Sequence, residues 1–322
     1  MKHATKKMLI TALILFCAGL FLTTVGYIVA AVNDVSVYDE NERPKADVKS
    51  ETYNLNQLTG GESFTNLEIR FQVGNVVITK VTGSNQSTVQ VSAVDMATFG
   101  HGVKDGVLSL ADDDAYPSTY YGFSFTSNGF GFNGLRQILN FASAGNKNRT
   151  LYINLASDMA DLQNITIHCG AGNVIVRNFT VKDSVSVSVS YGNISVDNIS
   201  IGGSFSASTD LGNISMNDSS YARCELASTR GNIQAYLTGN GNNTFDSVAG
   251  NVTIEVKNPL QKYEITMSTT TGSVYVGDVE IGSDYTHYPD SNEQSLGKII
   301  ATAIVGSVKI SQRGETTPSP VY

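Results

Sequence analysis

The chain has 322 residues, a formal net charge of −8, no tryptophan and only 16% charged residues. Without the three lysines at its N-terminus the charge of the remainder is −11. An acidic surface of this kind has no general attraction for nucleic acid or anionic lipid. We therefore expect no nucleic-acid partner.

The N-terminus carries the pattern of a membrane anchor. Lys2, Lys6 and Lys7 precede an uncharged apolar run over residues 8–31. A run of this length spans the hydrocarbon core of a bilayer as one helix. Basic residues before the run and acidic ones after it favour a cytoplasmic N-terminus. The pattern predicts a cytoplasmic tail over 1–7, a transmembrane signal-anchor over 8–31 and an extracellular C-terminal domain in a single-pass protein of the cell membrane.

Two other interpretations of this segment stay open. Val29-Ala30-Ala31 resembles the small-residue site at which a secretory signal peptide is cleaved, although the apolar run is longer than a usual signal core. Cys17 is compatible with a lipoprotein, although Phe16 before it is larger than such a processing site favours. In each case the following residues lie outside the cytoplasm.

A polar connector follows and leads into the main domain. Residues 32–63 contain Pro44 and mixed charges and are predicted to form an extracellular stalk. The first strand is predicted at Leu67–Phe71. The β-rich body is predicted to extend over 64–312, and a disordered tail over 313–322.

The body is dominated by a repeated triplet of glycine, a small polar residue and a branched aliphatic residue. The copies begin at Gly74, Gly172, Gly192, Gly212, Gly231, Gly250, Gly272 and Gly306. From Gly172 to Gly272 the steps are 20, 20, 19, 19 and 22 residues. A fixed period of about 20 residues is typical of a stacked repeat in which each copy forms one coil.

Each position of the repeat has a predicted structural role. The residues two and four places after each glycine are apolar, and positions two apart on a strand share a face, so both columns are predicted to face inward. Glycine suits a corner that needs positive φ, and stacked asparagines can bond to one another as a ladder. The predicted structural corners are Gly172, Asn173, Gly192, Asn193, Gly212, Asn213, Gly231, Asn232, Gly250, Asn251, Gly272 and Gly306.

Two insertions interrupt the period. Residues 112–146 form a glycine-rich aromatic stretch that starts with three aspartates and ends with a possible short helix at Gly134–Ala142. Its aromatic residues either cover part of the stack or bind a ligand. The candidate ligand-binding residues are Tyr116, Tyr120, Tyr121, Phe123, Phe125, Phe130 and Phe132. The second insertion, 282–297, is interpreted as a loop from one coil.

Nothing in the pattern points to catalysis, to a cofactor or to a metal. The residue five places after each glycine is acidic only at Asp197 and Glu255, so no carboxylates stack on neighbouring coils. The four histidines are scattered without metal-ligand spacing. Cys169 and Cys224 lie three coils apart, too far for a disulfide. We predict a protein that is not an enzyme, needs no cofactor and has two unpaired cysteines in its ectodomain.

With these features in place, the chain resembles the bacterial putative-adhesin family with a DUF4097-type β-repeat domain. The resemblance rests on the Gly-Asn-Ile/Val corners, on the unit from Leu67 to Ile78 and on Asp105–Leu110, and it covers about 64–312. It implies an all-β fold, a single-stranded right-handed parallel β-helix outside the membrane. It also implies a link to surface attachment or to envelope stress responses, and it supplies no catalytic residues.

The anchor, the repeats and the resemblance leave three functions to consider. The first is a non-catalytic, adhesin-like module that presents the aromatic insertion to an unknown protein or glycan at the cell surface. The second is a regulatory component of a cell-envelope stress response that acts through another membrane protein. The third, a carbohydrate-active enzyme, requires a carboxylate cluster that the repeat columns lack.

Overall fold

A computed structural model describes residues 48–95, 99–112, 124–126, 129–131, 149–238, 240–289 and 294–313. The chain divides into two compact units, one drawn from 1–46 and 120–147 and the other from 47–119 and 148–322. In the first unit, β7 and β8 form a two-stranded antiparallel sheet. In the second unit, the described strands form one 22-stranded sheet. The fold is all-β.

The elements follow in chain order. The N-terminal part contains β1 (Val48–Asn54), α1 (Leu55–Thr59), β2 (Asn66–Val73), β3 (Asn75–Val81), β4 (Thr88–Asp95), β5 (Phe99–Lys104), β6 (Val107–Asp112), β7 (Ser124–Thr126), β8 (Gly129–Gly131) and β9 (Thr150–Ala156). The repeats contain β10 (Leu162–Ala171), β11 (Val174–Tyr191), β12 (Ile194–Ile201), β13 (Ser204–Leu211), β14 (Ile214–Ser219), β15 (Arg223–Arg230), β16 (Ile233–Leu237), β17 (Gly241–Ala249) and β18 (Val252–Val256). The C-terminal part contains a 3-10 turn (Leu260–Lys262), β19 (Tyr263–Thr271), β20 (Val274–Val276), β21 (Val279–Gly282), β22 (Asp284–His287), β23 (Gly297–Val305) and β24 (Val308–Gln312).

The strands stack in layers. We define a layer as two strand segments joined through a corner; β10 and the first half of β11, joined at Gly172, form one example. Neighbouring layers pair in parallel and in register, so that Val187 on β11 pairs with Ile167 on β10 and with Ala207 on β13. The layers lie in the spatial order β6/β9, β2/β3, β10/β11, β11/β12, β13/β14, β15/β16, β17/β18, β23/β24 and β19/β20.

The inward columns form the core. All eight side chains two places after the repeat glycines are at most 1% exposed, from Val76 to Val308. Those four places after are equally buried except Val276, which is half-buried at the end of the stack. The prediction that both columns face inward is confirmed. β-Branched side chains dominate because they fit a pleated surface that packs on one side.

The corners bring the backbones of adjacent layers into contact. At Gly212 φ is 156°, and a Cβ atom would lie 1.9 Å from the carbonyl oxygen of Gly192. The other repeat glycines from 172 to 306 show the same approach, with the hypothetical Cβ 1.8–2.1 Å from a carbonyl oxygen of the adjacent layer. Only a residue without Cβ allows this spacing.

The asparagines satisfy the backbone at these corners. The Asn193 Oδ1 atom accepts the backbone N–H of Asn213 at 2.9 Å, and the pattern repeats from Asn75 through Asn251 with distances of 2.7–3.0 Å. The last bond runs from the backbone N–H of Ser307 to Asn251 Oδ1 at 2.8 Å. A side-chain oxygen thus replaces the backbone acceptor that a straight strand would supply.

The stack departs from chain order at its C-terminal end. β23 and β24 lie between β17/β18 on one side and β19/β20 on the other. The layer at Gly306 is therefore adjacent to the layer at Gly250, whereas a stack in simple sequence order would place Gly272 there. The segment 282–297, predicted as a loop, contains β22 and the glycine that starts β23.

Antiparallel strands cover both ends of the stack. β21 pairs with β20 and β22 with β19 at one end. At the other end β5 pairs with β6, while β1 pairs with β4 and β4 with β9. α1 contributes buried Leu55 and Leu58 and begins with a capping box between Asn54 and Gln57. Residues 48–59, placed in the stalk by the sequence, thus belong to the folded unit because they cover an otherwise open strand edge.

Both cysteines of the body are buried and free. Burial raises the pKa of the Cys169 thiol to about 12 and also raises that of Cys224. These thiols pack as small apolar groups and are not activated nucleophiles. Among the described residues no helix is long and apolar enough to cross a bilayer, and the predicted anchor at 8–31 lies outside them.

We expect Gly212→Ala to lower the free energy of unfolding by more than about 3 kcal/mol, because strain at positive φ adds to a clash with the Gly192 carbonyl. Gly83→Ala is the matched control: φ is 78° and nothing lies within 4 Å of the added Cβ. Gly83→Ala should lower the free energy of unfolding by only about 1–2 kcal/mol. Urea denaturation of the 33–322 fragment measures both, and equal losses would contradict the role of the close approach.

Candidate binding surface

The aromatic insertion leaves the stack at one corner of its terminal layer. Asp112, the last residue of β6, is the register partner of Phe71 on β2, and Thr150, the first residue of β9, is the partner of Asn75 on β3. Between Phe71 and Asn75 the neighbouring layer turns through three residues that end in Gly74. In the terminal layer the chain between the same two register positions is residues 113–149. The insertion therefore falls at a corner position of the sequence, and β6 and β9 on either side of it keep their pairing with β2 and β3.

A buried ion pair joins the two ends of the insertion. The Arg149 guanidinium bonds to the Asp112 carboxylate, and the two side chains are 7% and 0% exposed. The guanidinium also lies 5.8 Å from the centre of the Phe71 ring, within the range of a cation–π contact. The ends of the insertion are thus held at a fixed separation by charged groups that water does not reach.

Arg149 also completes the corner ladder. Its carbonyl oxygen accepts the backbone N–H of Asn75 at 2.9 Å, in the place that an asparagine side chain fills in the other layers. A Cβ on Gly74 would lie 2.8 Å from this oxygen and 2.5 Å from the Phe71 ring. The sequence offers no signal for Arg149, because it lies outside every repeat.

The structure describes two of the seven candidate ligand-binding residues. Phe125 and Phe130 are register partners across the antiparallel pair β7–β8. Tyr116, Tyr120, Tyr121, Phe123 and Phe132 lie outside the described residues, as does the helix predicted at 134–142. The structure thus brings two of the seven aromatics to facing positions on neighbouring strands.

The asparagine side chains at the corners form hydrogen bonds within the stack. Each Oδ1 from Asn75 to Asn251 accepts a backbone N–H of the next layer. A second set of corners that the repeat triplet does not reveal lies at Asn178, Asn198 and Asp218, which have φ between 43° and 62°. Asn198 donates from Nδ2 to Asn178 Oδ1 at 3.1 Å. These polar side chains stabilise corners.

A second exposed feature is an aliphatic patch on the lateral face of β17 and β23. Val248, Ile304 and Val305 are 46%, 51% and 53% exposed. Ala249 and Val305 are register partners, so the patch is continuous across the two strands. It lies several layers away from Asp112 and Arg149, the residues that flank the insertion.

Several charged groups of the described residues form ion pairs on the surface. Lys298 with Glu264 and Lys309 with Asp278 are exposed ion pairs at 2.7 and 2.8 Å. Arg177 and Asp197 are register partners on β11 and β12. No group of three or more His, Cys, Asp or Glu among the described residues is arranged to hold a metal ion.

Parallel strand layers stacked on polar corner ladders define the class of the protein, a β-solenoid-like domain. The family model of the Toastrack DUF4097 domain matches residues 64–311. The chain belongs to this family, as its sequence predicts.

Several solved structures are similar over most of the chain at low identity. A putative cell adhesion protein from Clostridium sporogenes ATCC 15579 is 15% identical, with 83% of this chain and 100% of that one covered and a TM-score of 0.32. A putative adhesin from Bacteroides fragilis NCTC 9343 is 14% identical, with coverage of 84% and 98% and a TM-score of 0.38. A putative lipid binding protein from Parabacteroides distasonis ATCC 8503 is 13% identical, with coverage of 83% and 98% and a TM-score of 0.32. No curated protein matches the chain.

Removing the arginine of the buried ion pair should destabilise the domain. We expect Arg149→Met to lower the free energy of unfolding by roughly 3–5 kcal/mol, because the Asp112 carboxylate stays buried without its counter-charge. Replacing both partners with apolar residues, Asp112→Leu with Arg149→Met, should restore most of the loss. Urea denaturation measures both variants.

The control is Arg70→Met, which removes an exposed ion pair with Glu68 whose side chains are 57% and 35% exposed. Its effect should stay within about 1 kcal/mol. A loss at Arg149 no larger than the loss at Arg70 would contradict the assigned role.

Proposed function

We propose that the protein is a membrane-anchored, extracytoplasmic binding module of the adhesin type without catalytic activity. The β-stack is the rigid support, and the aromatic insertion 112–146 contacts a protein or glycan at the cell surface. We also propose that the chain follows a single-stranded, right-handed coil path through the layers.

One observation carries the proposal: the insertion replaces a corner of the terminal layer and is closed at its base by the Asp112–Arg149 pair. A long segment rich in tyrosine and phenylalanine is thereby attached without disturbing the strand ladder. Aromatic side chains supply much of the binding energy in protein contacts, because they bury large areas with few rotatable bonds. We therefore expect that the insertion can be deleted without unfolding the stack.

Deleting residues 115–146 tests this function. Residues 113, 114, 147, 148 and 149 would remain between Asp112 and Thr150, enough to close a corner that the adjacent layer closes with three. We expect the labelled 33–322 fragment to bind isolated cell envelopes saturably and the deletion to abolish that binding. The thermal unfolding midpoint should stay within a few degrees of the parent, because the deleted residues contribute no strand to the 22-stranded sheet.

The reference variant Ile304→Ser with Val305→Ser alters the lateral aliphatic patch on β23. It should bind envelopes as the parent does. Binding that survives the deletion, or an intact fragment that does not bind, would overturn the proposed role of the insertion. Binding lost only in the lateral variant would move the contact to the β17–β23 face.

The anchor has its own test. With residues 8–31 as an uncleaved helix, the full chain should stay in the membrane fraction after an alkaline wash and keep its N-terminal tag. Replacing 1–31 with a cleavable signal peptide should release it. A tag lost from the full chain, or full-chain protein in the medium, would favour cleavage after Ala31.

A further inference from the structure

The C-terminal layer occupies a slot inside the stack. Residues 297–312 are bonded on both sides: the backbone N–H groups of Gly241 and Gly250 donate to the carbonyls of Leu296 and Val305 at 3.1 and 2.9 Å. On the other side the N–H of Gly306 donates to the Thr271 carbonyl at 2.9 Å. In a stack built in chain order the last layer would have one free edge. Here the layer that comes last in chain order among the described residues has none.

A glycine determines which segment fits against β17. Gly297 pairs with Gly241 on one side and with Tyr263 on the other. Its φ is 146°, and a Cβ atom there would lie 2.1 Å from the Gly241 carbonyl oxygen. A side chain at this position therefore forces the strand away from β17. β19, which places Tyr263 at this level, cannot take the same path.

The inward side chains of this layer differ in size from those on either side. Ala301 lies in register between Phe245 on β17 and Met267 on β19, and all three are at most 1% exposed. A small residue thus separates two large ones along the stack.

We propose that the stack contains a peptide-binding slot between β17/β18 and β19/β20, specific for a strand–corner–strand segment that begins with glycine and has alanine at the inward positions 301 and 303. In the intact chain residues 297–312 fill this slot as the final step of folding. The layer of β19 and β20 becomes ordered only when the slot is filled. An emptied slot accepts the same segment from outside, as a peptide or from a second copy of the chain.

Gly297→Val in the full chain tests the slot by hydrogen–deuterium exchange. We expect protection factors to fall at least about tenfold in 263–276 and 297–312, while 162–256 stays protected, because local opening leaves independent layers intact. Gly282→Val is the matched control, since Gly282 also has positive φ, 137°, but nothing within 4 Å of an added Cβ. It should leave protection of 297–312 unchanged. Equal protection in both variants, or loss throughout 162–256, would overturn the proposal.

A fluorescent peptide of residues 296–313 tests binding from outside. It should bind the Gly297→Val chain saturably at one site and leave the parent chain unlabelled, because there the slot is filled. The same peptide with Gly297→Val should fail to bind, and the parent peptide should restore protection of 263–276. Equal binding of the two peptides, or no binding by either, would overturn the assignment.

Discussion

The close approach of backbones at the glycine corners is the constraint on which the stack depends. At each repeat corner a carbonyl oxygen of one layer occupies the volume that a Cβ of the next would need. This contact keeps successive corners in line, and the in-line corners keep the strands in register. The inward aliphatic columns then pack without gaps, and the asparagine oxygens meet the next layer's N–H groups. Core, ladder and register all follow from the absence of a side chain at one position.

The same constraint explains where the protein departs from a simple repeat. In the terminal layer the repeat glycine is absent, and the sequence has the aromatic insertion between Asp112 and Arg149 instead. At the other end the constraint reappears at Gly297, outside the repeat triplet, and assigns the C-terminal segment to an internal layer. One departure lengthens the chain at a corner position. The other closes the stack.

Much of the fold was open to prediction because its signals are local. The strand predicted at Leu67–Phe71 falls within β2, and the buried columns follow the glycine spacing. The role of 48–59 was missed because a single strand and one helical turn carry little periodicity. The Asp112–Arg149 pair was missed because its partners are 37 residues apart and belong to no repeat. Composition singled out the aromatic insertion, but it gave no indication that an ion pair joins the residues that flank it.

By itself the sequence determined the family, the layer period, the inward columns and the acidic character of the domain, because each depends on residue types at fixed short spacings. Only the tertiary structure decided the order of the C-terminal layers, the attachment of the insertion and the covering of both ends. These depend on which distant segments meet. The role of Gly297 depends on the carbonyl of Gly241, which lies where a Cβ would be. The environment of Ala301 depends on Phe245 and Met267, its register partners on the two neighbouring strands.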